Sequence, residues 1–274
     1  MTDEPVLLAG DTQGVRTLTL NRPHRRNAID AELWAALRHA LTEAANDDVR
    51  ALVLTGAGGA FSSGADIRAD DTRDPLTKMR DLNDVTLLLH ELPLPTVAKV
   101  TGVAVGAGWN LALGCDLVVA TPGARFSQIF ARRGLSPDCG GTWLLPKLVG
   151  LQQAKRLALL AETIDAEEAR SLHLVTWVVP DERIDAYVTD LAARLAAGPP
   201  VALAQTKALL HESSGRSLRE ALAAEASAQA VNFATTDVPE AYAAFVEKRE
   251  PHFTGDRHRQ PPSKAPKDTS CVKQ

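Results

Sequence analysis

Two glycine-punctuated turns hold the residues best suited to chemistry: Gly56 to Asp66 (GAGGAFSSGAD) and Gly102 to Asp116 (GVAVGAGWNLALGCD). Each follows a short apolar, β-branched run, Val49 to Thr55 and Thr96 to Val100, so two strands can deliver bare backbone N–H groups to a common point. Two donors aimed at one oxygen stabilise negative charge as it develops there, which is the work of an oxyanion hole. A single glycine turn is more often just a tight connection. Two of them, each between a strand end and a helix start, favour a site.

Other chemistries fit the residues less well. Gly106-Ala107-Gly108-Trp109-Asn110-Leu111 puts leucine where a dinucleotide fingerprint needs its third glycine, and no acidic residue closes a strand about twenty positions on. The Gly56 to Gly64 loop lacks the Gly-Lys-Ser/Thr ending of a phosphate-binding P-loop. Cys115, Cys139 and Cys271 have no paired or metal-binding spacing, and the seven histidines form no ligand cluster, so neither a disulfide framework nor a metal is expected.

The elements that would position these turns follow from periodicity. Val6 to Ala9 and Val15 to Leu20 read as a hairpin about the turn 11–14. Asp30 caps a helix to about Asn46 with Leu33, Leu37, Leu41 and Ala44 on one face. A second helix, 76–91, has Met79, Leu82, Thr86 and Leu89 on a face and stops at Pro93 and Pro95. A short helix is expected over 109–114, a strand over 117–120 and then a loop through Pro137. Beyond it lie helices over 139–149, 151–161, 166–172, 182–197, 201–212, 217–235 and 239–249, with one strand at 175–179. Alternating strands and helices followed by helices alone imply an α/β core over 1–198, a helical region over 199–254 after Gly198-Pro199-Pro200, and a disordered polar tail over 255–274.

The 274 residues suffice for one substantial core, and a formal charge of −4 offers no broad footprint for nucleic acid. No run of about 18 apolar residues occurs, and the N-terminus lacks a basic region before an apolar stretch, so a cytoplasmic enzyme is the expectation.

Four segments, LTLNRPHRRNAID (18–30), ALVLTGAGGAFSSGADI (51–67), PTVAKVTGVAVGAGWNLALGCDLVVAT (95–121) and ARFSQIFARRGLSPDCGGTWLLPKLVG (124–150), resemble the crotonase superfamily, the enoyl-CoA hydratase/isomerase family. The likeness runs from about Val6 to His252. It implies a spiral of ββα units, acyl-CoA thioester substrates with coenzyme A as part of the substrate and no separate cofactor, and trimers or hexamers held partly by the C-terminal helices. By that resemblance the hole donors are the N–H groups of Ala65 and Ala107. Gly106, Gly108, Trp109, Asn110 and Phe130 lie toward the acyl group, and Arg25, Arg26 and Ala28 toward CoA. Asp66 closes the first turn on the substrate side and Asp116 closes the second; both read as structural hydrogen-bond acceptors. Trp143 and Trp177 read as core residues.

The chain departs from the family pattern where hydratases are expected to carry two glutamates, having Asn110 and Phe130 instead. Neither side chain titrates, so neither can hold and deprotonate a water. One acid remains near, Asp138. Its sequence position suits a helix N-cap as well as an acid/base. The segment GLSPDCGGTWLLPKLVG is similar to that of family members that isomerise ring epoxides of phenylacetyl-CoA, where the matching aspartate is the acid/base. Dienoyl-CoA isomerases also have an aspartate there, and a dehalogenase branch uses its aspartate as a nucleophile. An acyl-CoA isomerase is the leading expectation. A hydratase of β-oxidation, an Asp138-dependent dehalogenase or hydrolase, and a non-catalytic thioester binder are its rivals.

Overall fold

The computed structural model describes residues 4–68 and 72–257, so the tail expected over 255–274 lies outside the described residues beyond Arg257. In chain order the strands are β1 (Leu7–Thr12), β2 (Val15–Leu20), β3 (Ala51–Gly56), β4 (Thr96–Val100), β5 (Val103–Val105), β6 (Leu117–Ala120), β7 (Arg125–Ser127), β8 (Thr163–Asp165) and β9 (Trp177–Val178). The helices are α1 (Ala31–Asn46), α2 (Pro75–Glu91), α3 (Ala107–Gly114), α4 (Gly141–Leu160), α5 (Ala166–Ser171), α6 (Ile184–Ala196), α7 (Pro200–Glu212), α8 (Leu218–Phe233) and α9 (Asp237–Glu247).

The strands form two sheets, one ordered β1-β2-β3-β4-β6-β9 and a smaller one ordered β5-β7-β8. β4, β5 and α3 make one repeat of the spiral; β6, β7 and α4 make the next. In each repeat the first strand joins the large sheet in parallel, the chain turns a corner, and the second strand joins the small sheet. The first glycine turn enters the same pattern without a formal strand: Ser62 bridges Ala104 in parallel, and the Val105 N–H donates to the Ser62 carbonyl at 2.9 Å. This is the α/β ββα spiral that the resemblance implies.

Burial explains why the helices sit where they do. Leu33, Leu37, Leu41 and Ala44 of α1 are buried as their spacing requires, and the Asp30 side chain accepts the Leu33 N–H at 3.0 Å. In α2 the core face is Leu82, Val85 and Leu89, while Met79 at its start is exposed. The two helices expected over 139–161 form one element broken at Gly150, where φ of 75° and ψ of 161° interrupt the helical geometry. The hairpin turn is tighter than expected, two residues (Gln13 and Gly14) with φ of 50° and 76°, so β1 extends through Thr12. Strands β5, β7 and β8, three residues each, fall where only loop or helix was expected. Such short strands are stabilised by ladder partners distant in sequence rather than by a local periodic signal.

The corner between β4 and β5 is Gly102, with φ of 59°. A Cβ there would lie 2.1 Å from the Gly59 carbonyl oxygen, so glycine is required both for the backbone conformation and for the approach of the first turn. Gly102→Ala should cost about 2–4 kcal/mol and lower Tm by roughly 5–15 °C in a calorimetric scan; an unchanged Tm would mean that the corner relaxes freely.

Candidate active site

The site is built where the two glycine turns press together. Gly64 has φ of 90°, and a Cβ on it would stand 2.7 Å from the Val105 carbonyl oxygen and 3.6 Å from the Ala107 nitrogen. A Cβ on Gly108 would stand 2.6 Å from that of Ser62, so this glycine lets α3 close against the first turn. Gly106 is the N-cap of α3 with φ of 56° and ψ of −126°, and Ala107 opens the helix, two residues earlier than the sequence suggested. The first amides of a helix have no intrahelical acceptor. Among the described residues, neither the Ala107 N–H, which is buried, nor the Ala65 N–H has a hydrogen-bond partner.

Both alanines line one cavity of about 370 Å³. Gly106, Phe130 and Asp138 line it with them, as do Arg25, Arg26 and Ala28. His24, Arg68 and Arg133 add to the basic groups around it; as scattered single residues they gave no motif to read in the sequence.

Among the described residues two carboxyls line this cavity, and their surroundings set them apart. Asp66 is tied to Arg22 at 3.0 Å and accepts the Arg68 N–H at 3.1 Å. Burial opposes its ionisation, but these donors outweigh it and hold Asp66 below the usual carboxylate range. Asp138 is half-buried, and one of its carboxyl oxygens is buried with no hydrogen-bond partner among the described residues. Burial pushes this carboxyl above its ordinary value, and a hydrogen bond from the Cys139 thiol only partly offsets that. The same burial, with the adjacent Asp138 charge, pushes the Cys139 thiol up as well.

Asp138 does not cap α4. The N-cap is Gly140, in the left-handed region with φ of 72°, and no side chain caps that end. Cys139 before it is also left-handed, with φ of 45°. A non-glycine residue held there stores about 1–3 kcal/mol, and such strain persists only where surrounding contacts over-determine the backbone.

One of those contacts comes from Asn110. Expected to meet the substrate, it is instead completely buried: its Nδ2 donates to the Asp138 main-chain carbonyl at 2.8 Å, and its Oδ1 accepts from Gln128 Nε2 at 2.7 Å. Asn110 is three positions on from Ala107 and so shares its helix face, but its amide is taken up by these buried partners and it does not line the cavity. Trp109 is likewise buried and packs on Phe126 at a centroid distance of 5.5 Å, so it belongs to the core rather than to the acyl pocket. Gly108 touches Ser62 and does not line the cavity. Trp143, expected in the core, is 45% exposed, with the Lys147 ammonium 3.4 Å above its ring. Trp177 is partly buried against Tyr187. Asp116 fulfils its structural reading by accepting the Thr96 N–H at 2.7 Å and pairing with Lys207 at 2.9 Å.

Comparison with known proteins agrees with this architecture. Residues 10–257 match the family model described as enoyl-CoA hydratase/isomerase. The chain belongs to the enoyl-CoA hydratase/isomerase family. It is 43% identical over 251 residues to a Rhodobacter capsulatus protein named probable enoyl-CoA hydratase, covering 89% of this chain and 96% of that one. It is 39% identical over 258 residues to the 1,2-epoxyphenylacetyl-CoA isomerase of Escherichia coli K12, covering 91% and 98%. The enoyl-CoA hydratase structure from Mycobacterium smegmatis superposes with a TM-score of 0.85 at 36% identity, covering 91% of this chain and 99% of that one.

Two residues of this hydratase/isomerase-family site, Asn27 and the partly buried Arg22, escaped the sequence reading. Asn27, fully buried, donates to the carbonyls of Ala57 and Ala60 at 2.8 and 2.7 Å and accepts the Arg22 N–H at 2.9 Å. Arg22 bridges Asp30 at 2.8 Å and Asp66, which pins the wall of Arg25, Arg26 and Ala28 to the first turn. Their signal, a polar cluster in NRPHRRNAID beside apolar strands, resembles an ordinary solvated loop. Among the described residues no cluster of metal-binding side chains occurs, and no helix is long and apolar enough to cross a membrane.

The environment of Asp138 fixes the sign of a stability effect. Its carboxyl binds its proton more tightly folded than unfolded, so its contribution is favourable below the unfolded pKa of about 4 and is lost as pH rises through the folded value. Asp138→Asn, neutral at every pH, should therefore raise Tm relative to wild type at pH 7–8, and the gain should vanish below about pH 4. A Tm difference independent of pH would contradict the buried, proton-retaining carboxyl.

Proposed function

We propose that this family member is an acyl-CoA isomerase in which Asp138 carries a proton between carbons of the acyl group while the Ala65 and Ala107 N–H groups hold the thioester oxygen. The observation that carries this reading is that, among the described residues, Asp138 is the one carboxyl on the cavity wall not committed to an arginine, and it shares that wall with both free amides. Removal of a proton from carbon next to the thioester sends the C–H electron pair into the carbonyl and leaves negative charge on its oxygen. Two preorganised amides stabilise that charge, and losing one such donor costs about 10²–10³ in rate. The protonated carboxyl then returns its proton to a different carbon, so the substrate gains and loses no atoms. Elevated proton affinity suits this cycle, because a group that both takes and gives a proton works best when its pKa approaches the working pH.

Hydration is the second reading, favoured by the name of the Rhodobacter capsulatus relative. It would require Asp138 to manage water unaided, since Asn110 is buried and Phe130 cannot titrate. In this proposal CoA is bound as part of the substrate, with no separate cofactor, and Arg25 and Arg26 meet its phosphates. In the same proposal the enzyme works in the cytoplasm as a trimer or hexamer, an assembly that sedimentation would read directly. Support for self-association comes from α7, which buries no residue within the chain, and from Leu210, Leu218 and Phe245, which are 67–85% exposed.

Incubation with enoyl-, dienoyl- and epoxyphenylacetyl-CoA thioesters, followed by mass spectrometry, separates the readings. An isomerase gives products of unchanged mass, and a gain of one water assigns hydration instead. Asp138→Asn should lower kcat by about 10²–10⁴ while acyl-CoA still binds; undiminished turnover removes Asp138 from the mechanism. Arg25→Gln with Arg26→Gln should raise KM roughly 5–20-fold, less at high salt, with kcat nearly unchanged. A fall in kcat alone would count against phosphate binding.

A further inference from the structure

Asp138 sits on a strained two-residue bend, yet its own side chain makes no cap to hold that bend in place. What holds it is a buried chain of amides from a different part of the fold. Gln128, at the end of β7, is completely buried and donates to Asn110 Oδ1 at 2.7 Å. Asn110, in the first turn of α3, donates in turn to the Asp138 carbonyl at 2.8 Å, beside the Gly141 N–H at 2.9 Å. Gly141 makes room for this contact, since a Cβ there would lie 2.5 Å from Asn110 Nδ2. The Asp138–Cys139 peptide is thus fixed on its carbonyl side by two donors, in the residue whose carboxyl shares the cavity wall with Ala107.

We propose that Gln128 and Asn110 are positioning residues that set the direction of the Asp138 carboxyl through its main-chain carbonyl. This inference rests on the reading of Asp138 as the proton carrier. Neither residue lines this cavity, and the two act in series: Gln128, whose own Oε1 has no hydrogen-bond partner among the described residues, holds the Asn110 carbonyl with its NH₂, and Asn110 holds the peptide with its own. A buried amide held at both ends cannot flip, because the flipped form would set two carbonyl oxygens together and two NH₂ groups together. The helix that presents the Ala107 amide therefore also presents the brace for the acid, so donor and acid are registered to one another by one rigid element.

The test uses the full-length protein with Asn110→Ala, Gln128→Met, their double variant and Gly141→Ala, which crowds Asn110 without removing it. One readout is the Asp138 titration, taken as the infrared difference between ¹³C-aspartate-labelled protein and its Asp138→Asn counterpart. The other is kcat and KM on the thioester of the panel turned over fastest. A freed carboxyl turns toward water, so the titration should move down toward the ordinary carboxylate value in every variant. Asn110→Ala should lower kcat about 10–100-fold with KM within threefold, and Gln128→Met should lower it less. The double variant should be no worse than Asn110→Ala, because one chain broken twice is still one chain broken. In an Asp138→Asn background none of these substitutions should lower residual turnover further.

An unmoved Asp138 titration in folded Gln128→Met and Gly141→Ala protein would overturn the inference, as would losses that multiply in the double variant. Full activity of Asp138→Asn would instead remove the acid/base reading, while the titration would still decide whether the brace exists.

Discussion

The close approach of two main-chain segments, with hydrogen in place of side chains between them, is the constraint on which the rest of the structure depends. The Val105 N–H bonds to the Ser62 carbonyl, while Gly64 lies against the Val105 carbonyl and Gly108 against Ser62. A methyl group at either glycine would meet heavy atoms closer than 3.0 Å. With the turns this near, two amides from segments some forty residues apart line one cavity. Everything on the opposite side of the first turn, from Asn27 filling the loop interior to Arg22 tying down Asp66, prevents it from receding.

Much of this was legible because glycine leaves a signature that most contacts do not. Strand–glycine–helix junctions are visible in the chain, and so is the cap Asp30, followed by the amide it accepts three residues on. The long helices were readable from their 3.6-residue spacing. The small sheet was not, because each of its strands has three residues and takes its stability from partners about twenty to forty positions away. Side-chain direction was harder still. Trp109 lies two positions on from Ala107, and a helix turns each successive residue by about 100°, so the two do not share a face; Asn110 does share it, but is taken up by the Asp138 carbonyl and Gln128, partners that no local pattern announces. Trp143 failed for a different reason: a large aromatic is usually buried, but here a lysine stacks on it at the surface.

The environments of Asp66 and Asp138 also show how one cavity separates two chemically identical groups. An arginine and a backbone amide commit Asp66 to the charged form, where it serves as mortar between loops. Asp138 has an oxygen left without a donor in a half-buried setting, which costs stability. Placing the left-handed Cys139 beside it adds strain. A fold selected only for stability would relieve both, by an asparagine at one position and a glycine at the other. Their persistence together, on the wall that holds the two free amides, fits a site that spends stability on a poised proton.

The replacement of titratable side chains by Asn110 and Phe130 then has a physical consequence beyond their absence. A carboxylate at position 110 would lack the NH₂ that donates to the Asp138 carbonyl, and would set negative charge against that oxygen in a site without exposure. One at position 130 would bring a second charge to the wall that Asp138 lines and drive its proton affinity higher still. The bend that points Asp138 inward thus depends on a neutral donor at 110, and an independently titrating carboxyl at 138 is favoured by an apolar neighbour at 130. A two-carboxylate arrangement therefore cannot be reached by single substitutions without dismantling the hydrogen bonds that hold the Asp138 backbone.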